Sequence, residues 1–365
     1  MPVASSTAPI NGPLYLPLIS HDTVETPQFQ PVDIAGVAYQ LYTSASPDRN
    51  RPLQKIYRQR TNSIDSTGAD IRVTSIDTAR GFDVIYRFRL RDAAGKPVFS
   101  QTLRKTKELA AAMGEDFVID TDPFRPQYLG YLPAFGSLAF LVGFGPDGSD
   151  VGGDLLVLLD AKTGRLRHAG VNQWFLGASN GGQPLLSADG QALLTSYELL
   201  RADGRIINFK RPNTSVGATT WLSNHAMLVA YAPDTDSLGH DLPMRQPNNV
   251  VQDREGKVLA QFSLNAIDNY GLGYDLHHYY LPATRTHYFF DDEGKKLGLI
   301  SRAAPSKPQI VPLRSLRRFN SPQRPGEVRF QMKTELGAKL TLLADTVSGA
   351  LRYYLSEPKE RPELP

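Results

Sequence analysis

The chain has no cysteine, which excludes disulfide frameworks, thiol nucleophiles and Cys-ligated metals. It has no apolar run near the roughly 20 residues that a membrane-spanning helix needs; the longest, such as Leu155–Leu159, are strand-sized. An excess of charge of one sign is also missing. The 365 residues carry 40 basic and 37 acidic side chains, a net +3, which gives no global field for nucleic acid or an acidic membrane. Gly-x-Ser-x-Gly, His-Glu-x-x-His and the glycine patterns that cradle phosphates are absent. Gly143-Phe-Gly145-Pro-Asp-Gly148 has the letters of a dinucleotide loop. It opens a polar β segment instead of a helix, so the phosphate-binding mechanism fails. The start lacks the basic and apolar regions of a signal peptide. Pro2, Pro9, Pro13 and Pro17 instead make a small-residue lead, the composition of an exported chain, periplasmic or extracellular. Residues 1–13 and 357–365 are expected to be flexible tails around one folded unit, 14–356.

What the chain does have is a recurring turn. Asp92…Gly95, Asp160…Gly164, Asp203-Gly204, Asp253…Gly256, Asp292…Gly294 and Asp345…Gly349 each sit between two β-rich runs. Asp folds back on the backbone and Gly takes the positive-φ position, so each reads as a hairpin. The runs between them alternate or are wholly apolar: Val84–Leu90, Leu138–Phe144, Leu155–Leu159, Ala192–Leu200, Met227–Tyr231, Val250–Phe262, His287–Phe290 and Leu351–Leu355. This is an all-β pattern. One helix is predicted, Lys107–Met113, with Thr106 as its N-cap and Gly114 as its stop.

From Gly164 to Gly349 the hairpin glycines stand roughly 40–55 residues apart, the span of a four-stranded propeller blade. Residues 183–209 hold two hairpins, nearly the minimum for four strands. The chain thus resembles the β-propeller superfamily, with about six blades and a seventh in the less regular first 80 residues. The alternative is a pair of tandem β-sandwiches, with hairpins as plain connections. Leu-Leu-Asp160-Ala-Lys-Thr163-Gly164-Arg is similar to the hairpin of the quinoprotein-like (PQQ-type) propeller repeat. In that repeat a Trp follows to dock against the next blade, whereas this chain has His168. The resemblance implies a propeller and no quinone cofactor.

In a propeller the mid-blade and inter-blade loops share one face, where function concentrates. Here those loops are long at 144–154, 171–182, 233–247 and 265–277, while the Asp-to-Gly turns are expected at the opposite, plain face. Trp174, Asn180, Asn213, Asp268, Asn269, Tyr270, Tyr274 and His277 are the candidate binding residues. Aromatic rings can stack and the polar groups can hydrogen-bond a ligand. His277 and His278 are adjacent in a strand, so at most one of them reaches a common site. Asp147, Asp150 and Asp154, and Asp234, Asp236 and Asp241, have the closely spaced oxygens that Ca²⁺ takes; neither set matches an EF-hand. The basic runs Arg87/Arg89/Arg91 and Arg314/Arg317/Arg318 read as solvated surface.

The sequence therefore points to a non-enzymatic propeller that holds a partner protein or extended ligand, without a cofactor and without nucleic acid. One alternative is a carbohydrate hydrolase or lyase with Asp268, Asp275 and His277 as acid–base groups at the channel mouth. Another is a calcium-stabilised structural module.

Overall fold

The computed structural model describes residues 15–17, 29–64, 70–114, 118–119, 121–122, 124–145, 152–174, 183–236, 240–269, 274–320, 322–334 and 337–356. The expected tails lie outside them. Among the described residues six sheets of four or more strands follow one another along the chain, with a two-stranded one, Ile267–Asn269 and Tyr274–Leu276, between the fourth and fifth. The first is Gln30–Ile34, Val37–Ile64, Asp70–Asp92 and Pro97–Arg104; the second is Gln127–Leu132, Ser137–Phe144, Gly153–Asp160 and Leu166–Trp174. The third is Leu185–Ser187, Ala192–Leu194, Glu198–Arg201 and Ile206–Asn208, with Tyr15–Pro17 added antiparallel at its first strand. The fourth is Thr214–Trp221, Ala226–Pro233, Asn249–Asp253 and Val258–Phe262; the fifth is His278–Leu281, Thr286–Asp291, Lys296–Ser301 and Gln309–Pro312. The sixth takes Glu327–Lys333, Lys339–Asp345 and Leu351–Ser356, and is completed by Arg317–Arg318, which pairs parallel to its third strand.

Five apolar cores join these sheets in sequence. The first and second share one, with Phe88 and Leu90 against Phe140 and Val157. The second and third share Leu141 and Leu156 with Leu193 and Leu200. The third and fourth share Leu194 and Leu199 with Met227 and Val229. The fourth and fifth share Leu228 and Val251 with Phe289 and Ile300, and the fifth and sixth share Phe290 and Leu297 with Phe330 and Leu342. Alternation explains how one strand serves two cores. Phe140 and Val142 face the first sheet while Ala139 and Leu141 face the third. Strands buried on both faces lose the polar half of their pattern, which is why 137–144 and 153–160 read as continuous apolar runs. A β-sandwich sheet buries one face; the second to fifth sheets here bury both, so tandem sandwiches are excluded. The fold is of the β-propeller type, with six successive sheets of four or more strands among the described residues.

Three details correct the sequence reading. The helix is only Ala110–Met113, capped by Gly114 at φ 82° as expected. Its predicted first turn is instead held by the Arg104 carbonyl, which accepts from the amides of Lys107, Glu108 and Leu109, and Thr106 does not cap it. Among the described residues the first 80 add Tyr15–Pro17 to the third sheet and otherwise supply strands of the first, whose two central strands run on, paired from Pro52–Phe82 to Ile64–Asp70, as a two-stranded arm. Finally, the Asp-to-Gly turns join third and fourth strands in the first four sheets, but Asp292…Gly294 and Asp345…Gly349 join second and third. Those two turns fall on the end of the longer connections.

Arg87, Arg89 and Arg91 lie on a third strand and not an outermost one. Arg87 Nη1 donates to Ser46 Oγ at 2.7 Å, and the Arg91 guanidinium lies 4.3 Å over the Phe29 ring. Arg318 Nε donates to the Tyr353 hydroxyl at 3.0 Å.

Candidate functional site

Strand direction alternates through the first five sheets, so their first-to-second and third-to-fourth turns share one end, and their other connections share the opposite end. On the first end the links are short, such as Ile34 to Val37, Ser187 to Ala192 and Trp221 to Ala226. On the other lie the arm and the connections 104–127, 144–153, 233–249 and 262–278. One elaborated end and one plain end are therefore built in.

At the elaborated end, the strand Thr214–Trp221 is interrupted by a register shift between Val216 and Ala218. Gly217 sits in that bulge. A Cβ there would stand 2.9 Å from Ile267 Cδ1 and 3.4 Å from Tyr274 Cγ, so only glycine lets the small hairpin Ile267–Asn269 and Tyr274–Leu276 settle onto this strand. The bulge thereby places Tyr274, half-buried, beside the mid-blade loop of the fourth sheet. Ser215 Oγ donates to the Asp234 carboxylate, and the Asp234 amide donates to the Asn213 carbonyl at 3.2 Å. Asn213 holds φ 57°, a left-handed turn that asparagine tolerates.

The electrostatics tie these groups together. Burial raises the Tyr274 phenol above its usual range, and the charges of Asp234 and Asp241 raise it further. Burial likewise raises Tyr197, helped by Tyr274 and Asp234. Tyr197 lies in the turn between the second and third strands of the third sheet, and the sequence reading missed it. Both phenols stay protonated at neutral pH. They are hydrogen-bond donors beside carboxylate acceptors, which suits recognition of a ligand's polar groups and not proton abstraction.

The other sequence candidates divide. His277 is buried and packs its ring near Phe290, with Nδ1 3.3 Å from the Phe290 carbonyl. His278 faces the opposite way, stacked on Phe289 and His287, as alternation requires. The register sets Asp268 opposite Asp275. Trp174 and Asn269 end strands at this end of the molecule. Asn180 and Tyr270, with Asp147 and Asp150, lie outside the described residues. Asp154 accepts from Gln173 Nε2 at 2.9 Å, and burial raises its carboxyl. Asp236 caps its own loop through the His240 amide at 3.0 Å, and Asp241 is exposed. Among the described residues no three His, Asp or Glu side chains group as a metal site, and no helix is long and apolar enough to cross a membrane.

A pocket also opens at the plain end between the second and third sheets, lined by Ser137, Arg167, His168, Arg201 and Arg205. His168 docks there on the next blade, with Nε2 2.7 Å from Glu198 Oε1. This pair thus joins the second sheet to the third.

No protein family matches the chain, and no curated protein does either. Similar solved structures include an oligogalacturonate lyase in complex with manganese, at 12% identity over 91% of this chain and 97% of that one, with a TM-score of 0.23. TolB from Acinetobacter baumannii is similar at 10% identity over 84% and 83%, TM-score 0.23. BamB from Moraxella catarrhalis is similar at 11% identity over 91% and 94%, TM-score 0.16. The sheet order and the five shared cores carry the fold assignment, and these likenesses carry none of it.

Proposed function

We propose that this is a non-enzymatic binding propeller that holds a partner protein or extended ligand at its elaborated end. One observation carries the reading: Ser215 bonds Asp234, Tyr274 packs on Gly217 beside them, and the charge of Asp234 reaches both Tyr274 and Tyr197, all at the end that carries the long connections. Half-buried donors beside carboxylates discriminate, because a partner lacking the matching groups leaves them unpaired. The test is to capture the partner by cross-linking to the native protein, identify it, and titrate it against Tyr274→Phe with Asp241→Asn. The expected loss is on the order of tenfold or more in affinity, the effect of one or two removed hydrogen bonds. Unchanged affinity in that double variant overturns the assignment.

A carbohydrate hydrolase or lyase is the second reading. The register that sets Asp268 opposite Asp275 favours it, since a pair of carboxylic side chains is what acid–base cleavage of a glycosidic bond uses. Turnover of a polysaccharide that disappears in Asp275→Asn supports it; no turnover across a substrate panel removes it.

A further inference from the structure

The cavity at the plain end, between the second and third sheets, is built from two unlike halves. One half is apolar: Phe135, Leu158 and Leu200 are buried, and Ala202 and the exposed Ile206 complete it. The other half is Ser137, His168 and three arginines, Arg167, Arg201 and Arg205. No Asp or Glu lines the cavity among the described residues. Its volume is about 90 Å³. A water needs roughly 10–15 Å³ of such space, so the cavity admits a group of several heavy atoms and not only a single ion.

The acids that pair with these arginines stand outside the lining and hold them in place. Asp160 accepts from Arg167 Nη2, and the Phe135 carbonyl accepts from its Nη1 at 3.0 Å. Asp203 lies 3.0 Å from Arg201 Nη2 and 3.6 Å from Arg205 Nε, and Glu255 accepts from Arg201 Nη1 at 2.8 Å. A guanidinium carries five N–H donors. Arg167 spends two of them on these bonds, and the Arg205 side chain has only the 3.6 Å approach among the described residues. Donors that are fixed but not used up are what a bound anion completes. His168 adds a second mark of the same kind. Its Nε2 stands 2.7 Å from Glu198 Oε1, yet the contact is not aligned as a hydrogen bond, so both buried atoms lack one.

We propose that this cavity binds a small monocarboxylic acid, its carboxylate held by the arginines and its aliphatic or aromatic body by Phe135, Leu158 and Leu200. A guanidinium meets a carboxylate through two parallel bonds in one plane. Inorganic phosphate would use the arginines but leave the apolar half against water. A neutral apolar molecule would cover that half and leave the donors unmatched. The inference is independent of the Tyr274 reading, because the two sites lie at opposite ends of the sheets.

The experiment is saturation-transfer NMR on the full chain at constant ionic strength, with hexanoate as the probe. Hexanol keeps the body without the charge, and acetate keeps the charge without the body. Hexanoate is expected to bind saturably, and each control about tenfold or more weakly. Arg167→Gln and Arg205→Gln should each weaken hexanoate about tenfold, the loss of one charge-assisted hydrogen bond. Ala202→Leu narrows the cavity without changing charge and should weaken it too. Lys162→Gln removes an exposed cation at the same end but outside the lining, and is expected to bind as the native chain does. Circular dichroism checks that each variant is folded. Absence of saturable hexanoate binding overturns the proposal. So does equal affinity for hexanol or acetate, equally strong binding of inorganic phosphate, or an equal loss in Lys162→Gln. Binding of a tripeptide ending in a free leucine carboxylate, with none of hexanoate, would make the cavity a chain-end site and also overturn it.

Discussion

Asp48 and Asp83 are direct cross-strand partners at the root of the arm, and Arg104 stands between them, with Nη1 2.9 Å from a carboxylate oxygen of each. Two like charges opposed across strands repel, so the arginine is what allows the pairing to close. Asp83 has no solvent exposure and also accepts from the Thr106 amide at 3.2 Å. This knot sits where the partner strand bulges between Asp48 and Pro52, and it sets the angle at which the arm leaves the sheet.

Replacing that arginine gives the first prediction. The hydrogen bond from Arg104 holds Asp48 below its usual range. For Asp83 burial alone would raise the carboxyl, but bonds from Arg104 and Thr106 outweigh it and the net direction is down. A carboxylate depressed in the fold adds stability above its unfolded value, near 3.8, and loses it as the pH falls through the folded value. Arg104→Gln leaves two facing carboxylates at neutral pH. Limited proteolysis should therefore cut within residues 49–82 faster than in the native chain. The difference should shrink as acid protonates the pair. Equal cutting rates at neutral pH would show that the knot does not hold the arm.

Gly170 gives the second. A Cβ at this position would fall 2.2 Å from Glu198 Oε1 and 2.7 Å from His168 Nε2, inside the contact that docks the second sheet on the third. Gly170→Ala must push the pair apart and is expected to cost on the order of 1–3 kcal/mol, the usual range for overpacking. Glu198→Ala removes the nearest clashing atom. In a double-mutant cycle by urea unfolding, the combined variant should lose clearly less than the two singles added. Strict additivity would mean that Gly170 is constrained by something other than this pair.

These two sites show what the sequence made legible and what it did not. The Asp160-to-Gly164 hairpin and the apolar run 155–159 are local signals, and both stand where turn chemistry and alternation placed them. His168 was readable as a departure from a repeat, but its partner Glu198 lies on another sheet and only tertiary packing brings it near. The arm escaped for a different reason. Residues 49–80 mix charged, polar and isolated apolar side chains, without the run that marks a doubly buried blade strand. At the candidate site Tyr274 was visible as part of an aromatic cluster, whereas Tyr197 sat in a plain four-strand unit with no local mark. His277 drew notice for its chemistry, yet strand alternation turned it into the core against Phe290.

A buried histidine pair gives the third prediction. His278 Nε2 lies 2.8 Å from His287 Nδ1, and His287 Nε2 lies 3.0 Å from the Leu222 carbonyl. Only one neutral arrangement satisfies both contacts: His287 donates from Nε2 to Leu222 and accepts at Nδ1 from His278. Burial is the main cause that lowers both rings, His287 to about 4 and His278 well below its ordinary value, with His287 itself opposing a charge on His278. The unfolded chain binds protons below about 6.5 while the fold does not. Stability is therefore full above that pH and declines as the pH falls toward 4. The decline from His287 alone is on the order of 3 kcal/mol. His287→Phe should flatten the unfolding free energy between pH 6.5 and 4, at the cost of some stability at neutral pH. A slope in that window as steep as the native one would exclude the pair as its source.

Trp221 supports the fourth. Its ring is fully buried between the third and fourth sheets, and Nε1 donates to the Leu185 carbonyl at 3.1 Å across that boundary. Thr219 Oγ1 also donates across it to the Thr195 carbonyl at 2.9 Å and Arg254 pairs with Asp189 at 2.8 Å, so Trp221 is one of several directional links added to the apolar packing of Leu194 and Val229. Trp221→Phe keeps the aromatic character but removes the donor and some volume. A buried carbonyl deprived of its partner costs about 1–3 kcal/mol, and the smaller ring adds a packing loss. Chemical denaturation followed by circular dichroism should show a lower midpoint. An unchanged midpoint would deny Trp221 any part in joining the two sheets.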